Sequence, residues 1–576
     1  MKCNQDMILP NVDSCRRRST DTIETMPSFD HTPSYLQNCN QIFIKGPALT
    51  REILEKMNED LVPKQTVIFG YELNTKKLLY ATGLCLFTLI SFYGFLLMWF
   101  TDLFDNYALS QLVISNKSDG FAMWKTPTPK PLYQVYLFNY TNVEDFMIGL
   151  DKKLNVEELG PYVYEESTEK VDIEFYEDKV SYRLKKDYEF RPELSKGRQS
   201  DQVTVPNLAV LTGAAMVQKQ NYFARLGFAG LLAGMDVKAF MTASAHSFIM
   251  GYDDKLFDMS KGFSRMNNID TPDKMGLLAT NVGVNKDEFV VNTGKNDINK
   301  VGTIEEVNGE TELDYFSTNE CNRLSATEGV NYPPNLIQSK RPVRYLFLPA
   351  CRAMPMEFDQ EVSILDGKVA AYRYRQPDTV FQTADENPEN QCYCSDDGMC
   401  PPKGLINATA CNMGAPLFIS KPHFKGGDPA LAESVRGLQP NRADLPETMV
   451  HVQPLFGFIM VGQTVIQVNV MVKKSYGVSQ LSRFEDDQVL PIAWFNVNLQ
   501  EDRLPVDFLD IIYQTTFTFK GVKLAFQYGS LLTTVMAFIF TTVIIIKWLK
   551  MRQTRIQQRQ YAIRRRNEPH VEFAVV

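Results

Sequence analysis

Four of the ten cysteines fall within one short stretch, QCYCSDDGMCPPKGLINATAC, which runs from Gln391 to Cys411. Clustered cysteines support two chemistries, coordination of zinc by thiolates or oxidation to disulfides. A structural zinc site needs regularly spaced pairs of ligands, and His423 is the only imidazole near this stretch. The spacing therefore favours disulfides, provided that the segment lies in an oxidising compartment.

Two long uncharged segments, residues 78–101 and 524–546, decide the compartment. Each is long enough to cross a bilayer as a helix. Lys76 and Lys77 precede the first segment, and eight Lys and Arg residues follow the second between residues 547 and 566. The positive-inside rule then predicts that both termini face the cytosol. The first segment lies too far from the start for a cleaved signal peptide and is expected to remain as an anchor.

These spans divide the chain into predicted segments with different environments. They are a largely disordered cytosolic tail (1–77), transmembrane helix 1 (78–101), an extracellular or lumenal domain (102–523), transmembrane helix 2 (524–546) and a basic cytosolic tail (547–576). The three N-glycosylation sequons all lie between the spans, at Asn116, Asn139 and Asn407. We therefore expect a glycosylated domain whose thiols are oxidised.

Six cysteines lie in that domain, and they allow fifteen disulfide connectivities. They are Cys321, Cys351, Cys392, Cys394, Cys400 and Cys411. A bond between Cys392 and Cys394 would be strained, whereas Cys394 and Cys400 can close a small loop. That choice leaves Cys392 and Cys411 to reach back towards Cys321 and Cys351, in either order. No metal site is expected.

Alternating apolar and polar residues predict that the domain is largely antiparallel β, folded as a sandwich or barrel. KPLYQVYLFNYTN reads as a strand, and VDIEFYEDKVSYRLKKDYEF as two strands joined by a turn at Glu177 and Asp178. Asp366-Gly367 in EVSILDGKVAAYRYR predicts a hairpin. In TVIQVNVMVKK, Ile466 and Val468 alternate with polar residues, which is typical of another strand.

Residues 207–248 differ, because they are rich in Ala, Leu, Met and Gly and poor in β-branched side chains. They predict two or three short helices. The middle of this region, residues 223–235, is apolar on nearly every side. It fits either a helix buried in the core or an apolar cap at the far end of the domain that touches lipid or a protein partner. The spacing of Gly230 and Gly234 permits close helix packing.

The sequence contains none of the common catalytic or phosphate-binding motifs, such as G-x-S-x-G, the P-loop or H-E-x-x-H. We therefore predict a binding or transfer protein that is not an enzyme and needs no cofactor. The basic C-terminal end matches the positive-inside rule and anionic lipid headgroups, so nucleic acid is not an expected partner. A membrane-bound hydrolase has no sequence feature in its favour.

A series of ordered blocks between the spans resembles the class B scavenger receptors. This family includes the fatty acid translocase, the high-density lipoprotein receptor, the lysosomal integral membrane protein and the sensory neuron membrane proteins. The blocks are FNYTN, EELGPYVYEE, TVPNLAVLTGAA, MGYDD, TGKNDINKVGTIEEVNGE, CNRLSATEGVNYPP, LPACRAMPMEF, CYC, GAPLFISKPHF, GLQPN and LPIAWF.

The resemblance implies a mainly β fold with a helical apex: a large antiparallel β-barrel with an internal hydrophobic tunnel, anchored by two transmembrane helices. It also implies the disulfides Cys321–Cys392, Cys351–Cys411 and Cys394–Cys400. The apex would be residues 207–248, where Lys238 is a candidate for attracting an anionic headgroup. The other candidate ligand-binding residues are Arg225, Phe223, Phe228 and Leu231.

The function expected from this resemblance is a cell-surface receptor that binds fatty acids, sterols, carotenoids, lipoproteins or lipid pheromones and passes them through the tunnel to the membrane. The alternative is a trafficking or adhesion receptor that binds a protein or an apoptotic cell at its apex. Expected partners are lipids or lipid carriers. A second copy through the apex helices is a further candidate, as is a PDZ protein at the C-terminal residues Ala574 and Val576, although an unpaired tail is the favoured interpretation there. The C-terminal tail lacks an acidic dileucine signal, which favours the plasma membrane over endosomes or lysosomes.

Overall fold

The computed structural model describes residues 65–68, 71–118, 120–266, 271–394, 400–475 and 477–566. The chain divides into two compact units, Met1–Leu86 with Ile544–Val576, and Phe87–Val543. The first unit contains a two-stranded antiparallel hairpin just before the first membrane helix, which the sequence did not predict. Most of the N-terminal tail and the C-terminal Ala574 and Val576 lie outside the described residues.

The strands, numbered in chain order, belong mostly to one sheet. They are β1 Gln65–Ile68, β2 Tyr71–Asn74, β3 Leu132–Tyr140, β4 Val156–Tyr176, β5 Lys179–Phe190, β6 Gln202–Pro206, β7 Phe240–Ser244, β8 Gly283–Asn292, β9 Ile304–Val307, β10 Val343–Phe347, β11 Arg352–Ile364, β12 Val369–Arg375, β13 Ile406–Asn407, β14 Leu417–Ser420, β15 Met449–Val452, β16 Ile459–Met471 and β17 Val489–Leu499.

The two longest α-helices lie on either side of the main-sheet strands in the chain, and the others are short and lie between them. The α-helices are α1 Thr75–Phe100, α2 Leu103–Leu109, α3 Phe121–Lys125, α4 Val143–Ile148, α5 Leu208–Gln218, α6 Tyr222–Gly234, α7 Ala245–Met250, α8 Lys255–Met266, α9 Asn319–Asn322, α10 Pro334–Gln338, α11 Pro429–Glu433, α12 Val506–Tyr513 and α13 Phe519–Arg566.

The main sheet has 13 strands, and its path runs β10-β11-β12-β15-β16-β17-β3-β4-β5-β8-β9, with β14 and β13 added beside β16. Each ladder in it is antiparallel. The prediction of a mainly antiparallel β domain with helices is therefore confirmed. The predicted hairpins are also confirmed, with β4 and β5 joined at Glu177 and Asp178, and β11 and β12 joined through Asp366 and Gly367.

The centre of the sheet holds the largest apolar core. Val135 and Leu137 of β3 are fully buried there, together with Ala493 of β17. Tyr136 lies directly opposite Trp494 in the β3–β17 register, and their rings stack at 3.8 Å. Such a cross-strand aromatic pair contributes about 0.5–1.5 kcal/mol beyond the area that it buries. The core therefore fixes the register of the two central strands.

The two ends of the sheet, β9 and β10, do not pair with each other among the described residues. One short segment nevertheless lies between them, because Thr327 forms single bridges to Thr303 and to Tyr345. The N–H of Thr327 donates to the carbonyl of Arg344 at 3.0 Å, and the N–H of Leu346 donates to the carbonyl of Thr327 at 2.9 Å. Strands β9 and β10 therefore form no ladder with each other, and the closed barrel remains a prediction.

Two helices are long and apolar enough to cross a membrane, Leu79–Phe100 and Val506–Arg566. The segment Leu79–Phe100 lies within the predicted span 78–101. The second helix contains the predicted span 524–546 and continues beyond it at both ends. Polar contacts join the two helices: Trp99 Nε1 donates to the carbonyl of Gln527 at 3.0 Å, and Thr534 Oγ1 donates to the carbonyl of Ser91 at 2.8 Å. Hydrogen bonds of this kind favour helix association in lipid.

Candidate functional site

The candidate site is the pair of helices α5 and α6, which lies in the region that the resemblance implies to be the apex. An asparagine caps each helix, because the side chain of Asn207 accepts the N–H of Val210 at 3.3 Å and that of Asn221 accepts the N–H of Ala224 at 2.9 Å. Asn is a favoured residue at this position. The small β6–β7 sheet flanks the helices, and β7 is a strand within the region where the sequence predicted helices alone.

The inner face of α6 packs on the main core. Leu232 is fully buried, and Phe228 and Leu231 are half-buried against the same cluster. The ring of Phe228 lies over Gly213 of α5, where a Cβ would meet the ring at 2.5 Å. This close approach requires glycine. Two of the five candidate ligand-binding residues, Phe228 and Leu231, therefore serve packing at least in part.

The outer face of α6 presents an apolar surface that we call the apex patch. It consists of Tyr222, Phe223 and Leu226, which are 51%, 80% and 50% exposed. A Cβ added at Gly230 or Gly234 would meet no atom within 4 Å, so the helix surface near these glycines is open. One face of this helix is therefore part of the core, and the other is apolar and exposed. Contact of the exposed face with lipid or a protein partner stays a prediction.

The two candidate cations differ in their surroundings. Arg225 is half-buried, and its Nε donates to the backbone carbonyl of Gln220 at 3.0 Å. Lys238 is exposed and follows the end of α6. The structure therefore places one positive charge beside the apex patch on the same helix and another just beyond that helix. Such charges can attract a carboxylate or phosphate without being part of the packed core.

A buried polar cluster inside the sheet was not predicted from the sequence. Glu158 of β4 lies at its centre: His423 Nε2 is 2.6 Å from Oε2, and the indole N–H of Trp494 donates to the same oxygen at 2.8 Å. Arg442 Nη1 donates to Oε1 at 3.1 Å. His423 Nδ1 accepts the backbone N–H of Gln439 at 3.3 Å, so Nε2 carries the proton that faces the carboxylate.

The pKa of Glu158 reflects this cluster. Burial alone would raise the pKa of the carboxyl group, but the hydrogen bonds from His423 and Trp494 and the charge of Arg442 outweigh burial and lower the pKa to about 2. The carboxylate is therefore ionised throughout the physiological range. We interpret the cluster as a structural clasp between β4, β17 and the loop of His423.

His423 is thus placed differently from a zinc ligand. Its side chain is 2% exposed, and its Nε2 atom contacts the carboxylate of Glu158. Within the described part of the chain, no group of three or more His, Cys, Asp or Glu side chains is arranged to hold a metal ion. The two main members of the clasp lie in the blocks EELGPYVYEE and GAPLFISKPHF, and neither block by itself indicates the contact between them.

The structure contains three disulfides in the large unit. They are Cys321–Cys392, Cys351–Cys411 and Cys394–Cys400. These are the pairs that the resemblance implies, and peptide mapping is the measurement that tests them. Cys85 is a free thiol within the first membrane helix.

Comparison with known proteins decides the family. The CD36 family model matches residues 81–545. The chain belongs to the CD36 family. It is 33% identical over 400 residues to scavenger receptor class B member 1 of Rattus norvegicus, covering 68% of this chain and 75% of that protein. It is 29% identical over 418 residues to lysosome membrane protein 2 of Homo sapiens, covering 72% of this chain and 84% of that protein.

The resemblance read from the sequence blocks is therefore confirmed. The match of the CD36 family model begins within α1 and ends within α13, so it includes most of both candidate membrane helices and the whole domain between them. Relatives with these names are receptors or membrane proteins, which favours a protein that is not an enzyme. This CD36 family member is accordingly a membrane protein with two candidate spans.

The three sequons of this CD36 family member lie in different surroundings. Asn116 is exposed in a turn. Asn407 is half-buried, and its side chain accepts the N–H of Thr409 at 3.0 Å. Asn139 lies in the central strand β3, where its Oδ1 accepts the N–H of Thr204 in β6 at 2.8 Å. The side chain of Asn139 therefore links the main sheet to the base of the apex, whether or not it carries a glycan.

We expect Asn139→Gln to lower the yield of folded protein at the cell surface more than Thr141→Ala does. Both variants remove the sequon, but only the first displaces the amide that accepts the Thr204 N–H, at a cost of about 1 kcal/mol. Glycosidase digestion and surface labelling measure the two effects separately. Equal surface yields of the two variants would show that the hydrogen bond contributes nothing.

Proposed function

We propose that this protein is a cell-surface scavenger receptor that binds hydrophobic ligands and passes them through an internal tunnel to the membrane. Fatty acids, sterols, carotenoids, lipoproteins and lipid pheromones are the ligand classes. The observation that carries the proposal is the apex patch, since three large apolar side chains on one helix face are left in water. Exposed apolar clusters of this kind commonly mark an interaction surface.

The physics of lipid transfer suits such a surface. Each methylene removed from water contributes about 0.8 kcal/mol, so an apolar path can desolvate a lipid tail without any covalent step. Arg225 and Lys238 would attract the anionic headgroup while Phe223 contacts the tail. The bridges of Thr327 to both ends of the sheet support closure of a barrel around the tunnel.

The proposed topology has both termini in the cytosol, with residues 102–523 outside and the tails 1–77 and 547–576 inside. Two helices long enough to span a membrane support it, as do the basic residues after the second. The plasma membrane is the proposed location. The similarity to lysosome membrane protein 2 keeps an endosomal or lysosomal site as the alternative.

A second candidate function is a trafficking or adhesion receptor that binds a protein or an apoptotic cell at the apex. The apex patch also favours this function, because exposed Tyr and Phe residues are typical anchors of protein interfaces. The open surface at Gly230 and Gly234 would admit a second copy of the chain. The two functions differ in whether lipid leaves the apex for the membrane.

We expect Phe223→Asp to reduce ligand uptake by about tenfold, because it removes the burial of one aromatic side chain on binding. The side chain is 80% exposed in the receptor, so the substitution should not affect folding. Uptake of a fluorescent long-chain fatty acid and of labelled lipoprotein would be measured at equal surface expression. Val330→Asp is the matched control, since Val330 is also exposed, at 51%, and lies outside the apex helices.

Two results would contradict the leading proposal. Unchanged uptake of both ligands by Phe223→Asp would remove the apex patch from the binding site. Loss of binding to a protein or cell partner with normal uptake of fatty acid would favour the second candidate function instead.

A further inference from the structure

The proposed function makes no use of the part of α13 that follows the second span. Residues 547–566 carry eight Lys and Arg side chains and no Asp or Glu. All of them are helical and exposed. Without carboxylates between them, the cations cannot neutralise one another along the helix, and the segment is a concentrated positive charge next to the membrane.

Distance from the membrane separates these cations into two groups. An α-helix rises 1.5 Å per residue, so Arg555 lies about 13 Å beyond Ile546 and Arg566 about 30 Å beyond it. Screening at physiological salt acts over about 8 Å. Lys and Arg side chains are long, so those of the group nearer to the membrane can extend back to the interface, and those of the farther group cannot. The nearer group, which we call the collar, consists of Lys547, Lys550, Arg552 and Arg555.

Trp548 marks the level of the interface. Trp side chains prefer the headgroup region of a bilayer. Trp548 is 47% exposed, and the guanidinium of Arg552 lies over its ring, 5.8 Å from the centroid. Lys547 and Lys550, within one turn of this indole, are therefore at headgroup depth when the span is embedded.

The collar spreads over about 200° of the helix circumference. Successive residues are 100° apart around an α-helix, so its four cations point in four different directions. They do not converge on one pocket that could select a single polyphosphorylated headgroup. An arc of separate cations is suited to several singly charged lipids at once, which it recognises by charge alone.

We propose that the collar binds anionic phospholipids of the cytosolic leaflet and concentrates them around the second span. This inference rests on the topology within the proposed function, and not on the ligand of the apex. Each basic residue near an anionic surface adds to the attraction, so four of them give a strong local preference.

The test uses the full-length receptor in phosphatidylcholine vesicles that contain a minority of phosphatidylserine. Electron paramagnetic resonance of acyl-chain spin-labelled lipids measures the ratio of phosphatidylserine to phosphatidylcholine association with the protein. In the collar variant (Lys547→Gln, Lys550→Gln, Arg552→Gln and Arg555→Gln), we expect this ratio to fall at least about threefold. The matched control removes the same number of charges farther out (Arg559→Gln, Arg564→Gln, Arg565→Gln and Arg566→Gln) and should keep the ratio.

Each other outcome counts against the collar. An unchanged ratio, or an equal fall in both variants, would overturn it. A preference for phosphatidylinositol bisphosphate over phosphatidylserine at matched total charge would indicate a specific headgroup pocket. Binding of a soluble acidic protein with unchanged lipid selectivity would make the helix a protein-docking element. N-glycosylation of each variant verifies its topology, and Phe223→Asp, which alters only the apex, should leave the ratio unchanged.

Discussion

Replacing Glu158 with alanine is expected to lower the free energy of unfolding of the domain by about 3 kcal/mol, the lower end of the range for breaking a buried ion pair. The variant leaves the indole N–H of Trp494 and the ring N–H of His423 without their acceptor. The lower end applies because the Glu158 side chain keeps 22% exposure, which lets water reach the site.

The pH dependence of this loss follows from the lowered pKa. The carboxyl group has a pKa of about 2 in the folded protein and an ordinary value of 4.5. A carboxyl group whose pKa is lowered by folding stabilises the fold fully at pH values above its pKa in the unfolded chain. This stabilisation is lost as the pH falls through its pKa in the folded protein. The deficit of Glu158→Ala should therefore be the same at neutral pH and at pH 5, and should shrink only below pH 4.5.

Thermal unfolding of the purified receptor across this pH range is the measurement. Glu158→Gln keeps the shape of the side chain without its charge and should lose less stability than Glu158→Ala. Glu157→Ala is the control on the same strand, because Glu157 is exposed and lies on the other face of β4. If Glu158→Ala unfolded at the same temperature as Glu157→Ala, the clasp would have no stabilising role.

The elements that sequence predicted correctly depend on short-range signals. Asp366 and Gly367 both adopt positive φ, at 57° and 77°, within the short loop that joins β11 and β12. The long uncharged runs form helices for the same local reason, since residues 78–100 of the first run and all of the run 524–546 are helical. Each of these patterns is complete within a few turns of chain, so no distant partner is needed to recognise it.

The features that sequence did not predict depend on distant partners, even within a strand that was predicted correctly. Gln467 and Asn469 alternate with Ile466 and Val468, yet the two polar residues are fully buried and the apolar ones are half-buried. The reason is tertiary, since Gln467 Oε1 accepts the N–H of His423 at 2.6 Å.

Two other features were missed for the same reason. Glu158 and His423 are 265 residues apart in the chain, so no local pattern could reveal the clasp. Strand β7 pairs with β6 across the two apex helices, and the Ala-rich and Met-rich composition around it predicted helix alone.

The candidate site was predictable in outline but not in detail. An apolar helix without a polar face gives no indication of which side meets the core, because its hydrophobic periodicity is weak. The structure separates Phe228 and Leu231, which face the core, from Phe223, which faces water. That division depends on Gly213 of the neighbouring helix, whose missing side chain admits the Phe228 ring.

Removing the two long-range disulfides is expected to destabilise the domain more than removing the short-range one. Cys351–Cys411 and Cys321–Cys392 link residues that are 60 and 71 positions apart, whereas Cys394–Cys400 links residues only 6 apart. Because a longer loop restricts the unfolded chain more, chain entropy gives about 4 kcal/mol for each long loop and about 2 kcal/mol for the short one.

Paired Cys→Ser variants test this order without leaving a lone thiol that could form wrong bonds. Cys351→Ser with Cys411→Ser, and Cys321→Ser with Cys392→Ser, should reach the cell surface poorly and unfold at lower temperature. Cys394→Ser with Cys400→Ser serves as the short-loop control, and non-reducing peptide mapping of the wild type verifies the pairs. Equal losses for all three pairs would mean that loop length does not set the contribution of these bonds. A different map would instead mean that another connectivity links the strands, and the loop lengths from which the order follows would change with it.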